Sequence, residues 1–348
     1  MQATVDPSTP KTGLLISVVI TTYDRCDALV ETLRALDAQT LAPEEYEVVV
    51  VDNGCRDGTE AFLRQYRMGC GMQTFRVPEN VGIAAARNLA IRHARGRYLV
   101  LVSDDLIVPP DFLETHVETL QRYPGTWVVG GLQQLPSLTD TPFGRYLDAL
   151  ESSYDEARKS RQLAPGIWEL SNPTARNLSL PRADLDRIGL FDEQFRTACE
   201  DVDLAERARQ AGIRFIYAEA IRSLHNDQLG DWVRFCRAQV PRTRDTVHYY
   251  FKHQAHYRTH GDPAVARLNT PVRLCDGPRL IVKKLAKRVL ASALVTPVIE
   301  LFVRAGERIR LPDPLLWRLY RLLVGIYMYR GWQTGMAHYT PGTADAIR

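Results

Sequence analysis

Two groups of carboxylates stand where this sequence can do chemistry. The apolar run Tyr98-Leu-Val-Leu-Val ends in Ser103-Asp104-Asp105, and Cys199-Glu200-Asp201-Val202-Asp203 opens a helical pattern far downstream. Carboxylates at a strand end can hold a hard cation through one or two oxygens while diphosphate oxygens complete its shell. A metal so placed neutralises a departing nucleoside diphosphate. A carboxylate in the second group can take a proton from a hydroxyl as that hydroxyl attacks. Each group also has a plainer reading. Asp is common in turns, and Pro109-Pro110 follow the first pair closely. Acidic residues in a first helical turn are favoured by the helix dipole, although Glu200, Asp201 and Asp203 together exceed what capping requires.

The elements that must position these groups alternate short β-branched runs with helical patterns, which predicts βαβ units and a mostly parallel sheet. The strands expected are Ile16 to Thr21, Glu47 to Asp52, Thr74 to Val77 and Arg97 to Val102. Leu29, Val30, Leu33 and Leu36 repeat at helical spacing, with Asp27 placed to cap the first turn. Further helices are expected over Asp57 to Tyr66, Ile83 to Ala94 and Asp111 to Arg122, then over Tyr146 to Lys159 within a less regular stretch, Pro136 to Trp168. Beyond it the pattern predicts a strand at Asn177, helices over Asp184 to Ile188 and Asp201 to Ala211, and a strand over Arg214 to Ala218. Polar residues cluster at the carboxyl ends of the early strands: Thr21-Thr22-Tyr23-Asp24, Asp52-Asn53-Gly54 and Ser103-Asp104-Asp105. Ligands of open α/β sheets collect at such ends. The first strand runs into TTYDRCD rather than a G-x-G-x-x-G turn, and no G-x-x-x-x-G-K-[ST] occurs, so neither a dinucleotide dehydrogenase nor a P-loop enzyme is expected.

Six segments, in order, carry a resemblance: VVITTYDR, VVVDNGCRDGT, NVGIAAARNLA, YLVLVSDDLIVPPDFLE, NLSLPRADLDRIGLFDEQF and CEDVDLAERARQAG. Over roughly residues 14 to 225 the chain resembles family 2 glycosyltransferases. The resemblance implies an α/β fold of the GT-A type, inverting transfer from a nucleoside-diphosphate sugar, and Mn2+ or Mg2+ as cofactor. It implies nucleoside contacts at Thr21 and Asp52, with Tyr23 and Gly82 in the same donor-binding stretches and Arg87 near the base or phosphates. Asp104 corresponds to the position facing the ribose and Asp105 to the position facing the metal. Asp201 corresponds to the general base, and Glu200 to a neighbour that orients the acceptor. His225 lies where many GT-A enzymes have a histidine near the metal or diphosphate; a lone histidine also serves as a structural residue. Ser103 stands where family members often carry a third aspartate, which bears on the strength of metal binding. The sequence offers no convincing second nucleophile, in keeping with direct displacement.

The 348 residues, 45% hydrophobic, suffice for a full core. The expected divisions are a flexible N-terminus (1–13), a catalytic domain (14–225, with a donor half 14–135 and an acceptor half 136–225) and a basic, mostly helical region (226–348). Net charge is only +3, yet from Asn226 onward 20 Lys+Arg face 9 Asp+Glu. There Lys283, Lys284, Lys287 and Arg288 lie beside Leu280, Ile281, Leu285, Val289 and Leu290, the pattern of a helix resting on an anionic membrane surface. Trp317, Tyr320, Tyr327, Tyr329 and Trp332 read as interfacial anchors. A helical subdomain packed on the core is the alternative. His248, His253, His256 and His260 lack metal-ligand spacing and read as a surface cluster, and no nucleic-acid module is visible.

No basic stretch precedes an apolar one at the N-terminus, the apolar run Val289 to Ile299 is too short to span, and the six cysteines show no C-x-x-C spacing. The expected setting is the cytoplasmic face of a bacterial plasma membrane, with a glycan or lipid-linked acceptor. The other reading is a weakly active sugar-nucleotide-binding or scaffold subunit of a glycan-assembly complex.

Overall fold

The computed structural model describes residues 13–226, 231–253, 268–270, 272 and 275–339. Residues 1–12 of the expected N-terminal segment, and His256 and His260, lie outside these. Two compact units are present: residues 1–136, 148–196 and 200–227 form an α/β unit, and 137–147, 197–199 and 228–348 form a helical one.

The α/β unit is built on ten strands: β1 Ile16–Thr22, β2 Tyr46–Asp52, β3 Gly71–Arg76, β4 Tyr98–Val102, β5 Leu106–Ile107, β6 Thr126–Gln134, β7 Lys159–Ala164, β8 Ile167–Leu170, β9 Asn177–Pro181 and β10 Arg214–His225. Their order is β3-β2-β1-β4-β9-β6-β10-β8-β7, with β5 paired to β10. The strands β3, β2, β1 and β4 are mutually parallel, as are β6 and β10. Antiparallel β9 is inserted between β4 and β6. The mostly parallel sheet expected from the β-branched runs is thus present.

Alternation along the strands divides the core. Val18, Ile20, Val48, Val50 and Val100 face one side, where α1 (Cys26–Asp37) and α4 (Phe112–Arg122) supply Leu29, Leu33, Phe112 and Leu113. Val19, Val49, Val51, Leu99 and Leu101 face the other, packed on α3 (Ile83–His93), α6 (Arg182–Ile188) and α7 (Glu200–Gln210). Strands buried on both faces read as continuous apolar runs because helices cover both sides of a parallel sheet. Full burial of each such side chain contributes about 1.5–3 kcal/mol. Helices α2 (Thr59–Gln65) and α5 (Pro142–Arg158) complete this part of the chain.

Three expectations change here. Asp27 does not cap α1; the amide of Cys26 donates instead to Asp57 Oδ2 at 2.8 Å, so the cap comes from the loop after β2. The stretch Pro136 to Trp168 is more regular than expected, since β7 begins as α5 ends and turns back into β8. Strand β6, which no expectation covered, is buried at nearly every position.

The helical unit contains α8 (Trp232–Lys252), α9 (Pro278–Leu290), α10 (Thr296–Arg308) and α11 (Asp313–Tyr339) among its described residues. Tyr320, Tyr327 and Trp332 are buried, and the Tyr320 and Tyr327 hydroxyls donate to Glu307 and Glu300, each at 2.6 Å. They are core residues of the helical unit, not exposed anchors. Lys284 is also buried, 2.6 Å from Asp276 Oδ2, and does not belong to a solvated cationic face. No described helix is long and apolar enough to cross a membrane.

Candidate functional site

The carboxyl ends of β4, β6 and β10 bring together side chains distant in sequence. The turn after β4 holds Asp104 and Asp105, both buried. The short pairing of β5 with β10 sets His225 opposite Leu106, and the amide of Asn226 donates to the Asp105 carbonyl at 2.8 Å. His225 therefore lies beside Asp105, with Nε2 3.2 Å from Asp105 Oδ2. Its other ring nitrogen, Nδ1, is 3.4 Å from Glu151 Oε2 on α5 and 3.2 Å from Gln134 Nε2 at the end of β6. Arg176 Nη1 in turn reaches Glu151 Oε1 at 2.5 Å. From the start of α1, Arg25 spans the aspartate pair: Nη1 is 3.1 Å from Asp104 Oδ1 and Nη2 is 2.7 Å from Asp105 Oδ2.

The electrostatics follow from this packing. Burial opposes charge on His225, but Asp105 and Glu151 outweigh it and push its pKa up to about 10. Burial would raise Glu151, yet His225 and Arg176 bring it down to about 2. Asp105 is likewise held well below the usual carboxylate range by His225 and Arg25 against the cost of burial. Asp104 is pushed up, chiefly by burial and further by Asp105, with Arg25 opposing.

A second buried pair joins α3 to α7. Arg87 is ion-paired with Glu200, whose carboxyl is raised by burial and by the charge of Asp201, against the pull of Arg87. Asn88 beside it exchanges hydrogen bonds with the backbone of Phe191 at 2.9 and 3.0 Å. Asp201 is partly exposed; its Oδ2 accepts from the amide of Ala175 at 3.3 Å. Ala175 and Arg176 are adjacent, so successive residues before β9 tie Asp201 to the Glu151–His225–Asp105 network.

The donor-side expectations fall on the loops after β1, β2 and β3. Asp52 is buried; Oδ1 accepts from the Cys55 amide at 2.7 Å, while Oδ2 has no hydrogen-bond partner. Thr21 is half-buried at the end of β1, and Tyr23 is 44% exposed. Gly82 opens α3 with φ of 95°, and a Cβ there would lie 2.9 Å from the Arg196 backbone, so both conformation and space call for glycine.

Which residues fit a metal is decided by free oxygens. Asp105 Oδ1 is buried without a hydrogen-bond partner, a costly state that a cation relieves. Asp105 offers the oxygen donor for it, and His225 would offer a nitrogen on giving up the proton it holds between Asp105 and Glu151. Asp24, Cys55 and Asp57 also bring ligand atoms within 4.8 Å of one another. Those atoms already hold the loops together: Asp24 accepts from the Arg56 amide, Asp57 from Cys26 and Thr59, and burial pushes the Cys55 thiol up to about 12. The Asp105 site fits a metal better. Arg25, Gln134, Glu151 and Arg176 carry no expectation from sequence, because only the tertiary fold brings them into the network around Asp105 and His225.

The segment holding the aspartate turn, residues 17–172, matches the family model described as "Glycosyl transferase family 2". This segment belongs to that family. Among relatives, the chain is 29% identical over 258 residues to the uncharacterized glycosyltransferase YfnE of Bacillus subtilis, covering 61% of this chain and 64% of that protein. It is 30% identical over 148 residues to TuaG of the same organism, a putative teichuronic acid biosynthesis glycosyltransferase, covering 42% of this chain and 58% of that one. The chain thus spans well under the full length of these curated relatives. A mannosyltransferase from Pyrobaculum calidifontis, solved with GDP-Man and Mn2+, superposes with a TM-score of 0.57 over 93% of this chain and 89% of that one, at 20% identity. The fold is of the GT-A type, extended by C-terminal helices.

Proposed function

We propose that the chain is an inverting glycosyltransferase, moving a sugar from a nucleoside-diphosphate sugar to a hydroxyl of a glycan or lipid-linked acceptor in bacterial cell-surface polysaccharide synthesis. The observation that carries this reading is the tie through Ala175 and Arg176, which joins a candidate base to a candidate metal site within one network. Asp201 is the base: it is the partly exposed member of its cluster, able to accept a hydroxyl proton. Glu200, locked to Arg87, positions that turn and the acceptor. Thr21, Tyr23, Asp52, Gly82 and Arg87 line the donor side, with Asp104 towards the ribose. Asp105 and His225 would hold Mn2+ or Mg2+, which when bound supplies positive charge to the departing diphosphate. The Mn2+ and GDP-Man of the Pyrobaculum mannosyltransferase support this assignment by analogy. The reaction is placed at the cytoplasmic face of the plasma membrane.

One observation favours a second reading, a sugar-nucleotide-binding or scaffold subunit: Arg25 bridges both aspartates and supplies one positive charge of the chain's own to the pair. Thermal unfolding with UDP, GDP, dTDP or CDP, each with and without Mn2+, separates the two. A ligand at about a hundred times its Kd stabilises the native state by about 2.7 kcal/mol. The transferase reading expects a metal-dependent shift with one nucleotide, and no shift with any would overturn it. A shift indifferent to metal, with no sugar transfer, supports the scaffold.

A further inference from the structure

The helical unit turns apolar side chains outward where an ordinary water-facing surface would turn polar ones. Helix α10 has two apolar stripes. Ile299 and Val303 point inward and are buried, while Val298, Leu301 and Phe302 are 49, 66 and 63% exposed. Leu294 before the helix and Ile309 after it, at 85 and 71% exposed, continue the outer stripe at helical spacing. Helix α9 repeats the inversion, with Val282, Leu285 and Val289 exposed and Lys284 drawn inside to Asp276.

Charge identifies what covers these stripes. Between Gly277 and Leu311 the exposed ionisable side chains are Arg279, Lys283, Arg288, Arg304, Arg308 and Arg310. The acidic residues of that stretch, Glu300 and Glu307, are engaged by the tyrosines of α11. The outward side of both helices is therefore apolar and cationic, and no described helix there can span a bilayer. A second copy of the chain is a poor occupant, since a two-fold interface pairs this patch with itself and so sets one cationic surface against another.

We infer that α9 and α10 dock the chain on an anionic lipid surface, inserting the Leu294, Val298, Leu301 and Phe302 stripe among the acyl chains while the flanking arginines and Lys283 meet headgroup phosphates. Interfacial helices bind by this combination. The inference builds on the membrane setting of the reading above but not on any step of transfer.

The test is co-sedimentation of the full chain with phosphatidylcholine vesicles, with and without phosphatidylglycerol. The parent should bind the anionic vesicles and bind less well as salt rises. A Leu301→Glu/Phe302→Glu variant, altered only at exposed positions, should bind them roughly tenfold or more weakly, with unchanged melting and unchanged nucleotide binding. A Phe302→Trp variant should shift its emission to the blue on the same vesicles. Equal binding by parent and double variant overturns the inference, as does a parent that ignores anionic vesicles. A parent dimer that the double variant converts to monomer overturns it too, making the stripe a self-association surface. Nucleotide-dependent stabilisation is read on the same samples without vesicles, so failure of docking and failure of the transferase reading are told apart.

Discussion

In the α/β unit, Asp52, Asp104, Asp105 and Glu200 are buried beside strand ends or a helix start, and several keep an oxygen unpaired or a pKa displaced. In the helical unit, charge does the opposite: buried Lys284 meets buried Asp276, and the half-buried Glu300 and Glu307 accept from tyrosine hydroxyls, so each interaction ties one segment to another. Glu47 shows that the first unit also contains structural charge, since it is held by Ser17 and Arg95 at the start of β2. The difference teaches that burial alone does not mark a site. What marks one is a buried polar atom left unsatisfied next to others aimed at the same place.

The contrast can be broken most sharply at Asp201. Asp201→Asn keeps shape and removes basicity, and should lower turnover by about 10²- to 10⁴-fold with little change in melting. Near-parental turnover would remove Asp201 from the role of base. The matching change in the helical unit, Lys284→Met, leaves Asp276 buried beside an apolar group and should cost about 3–5 kcal/mol of stability, read by denaturant unfolding, while nucleotide binding persists. Unaltered stability would mean that this pair ties nothing. The smallest effect is expected from Glu151→Gln, which keeps the contact with His225 but removes the charge that fixes it. Loss of such a support typically weakens metal affinity by about 10- to 100-fold, measurable by Mn2+ titration calorimetry without substrate. Parental affinity would make Glu151 a structural residue and narrow the site to Asp105 and His225.

Strands β1, β2 and β4 were legible because their β-branched runs are short, buried on both faces and followed by polar turns. Asp104-Asp105 and Glu200-Asp201 stood out for the same local reason. Arg25, Gln134, Glu151 and Arg176 did not, because the tertiary fold, which no spacing encodes, brings Arg25 to the aspartates and the other three to His225 or its partner Glu151. Tyr320, Tyr327 and Trp332 misled in the other direction. Aromatics among arginines have an interfacial composition, but their place is set by which face of α11 packs, and the partners of the two tyrosines, Glu307 and Glu300, lie on the preceding helix α10. Lys284 misled likewise, since helical periodicity shows that residues share a face but not which face turns inward.

Strand β9 has a consequence for how the molecule comes into being. The strands β1 to β4 can pair through short crossovers, but β4 and β6 lack their shared neighbour until the chain has passed Pro181. Until then two apolar strand edges are unpaired, the condition in which a nascent chain is slow to fold and prone to associate. Ala175 and Arg176 arrive with that strand, so the loop that links the two acidic clusters is in place as the sheet closes, ready for Asp201 to follow. A chain arrested before it would carry Asp104 and Asp105 alone, with neither the joining loop nor Glu200 and Asp201.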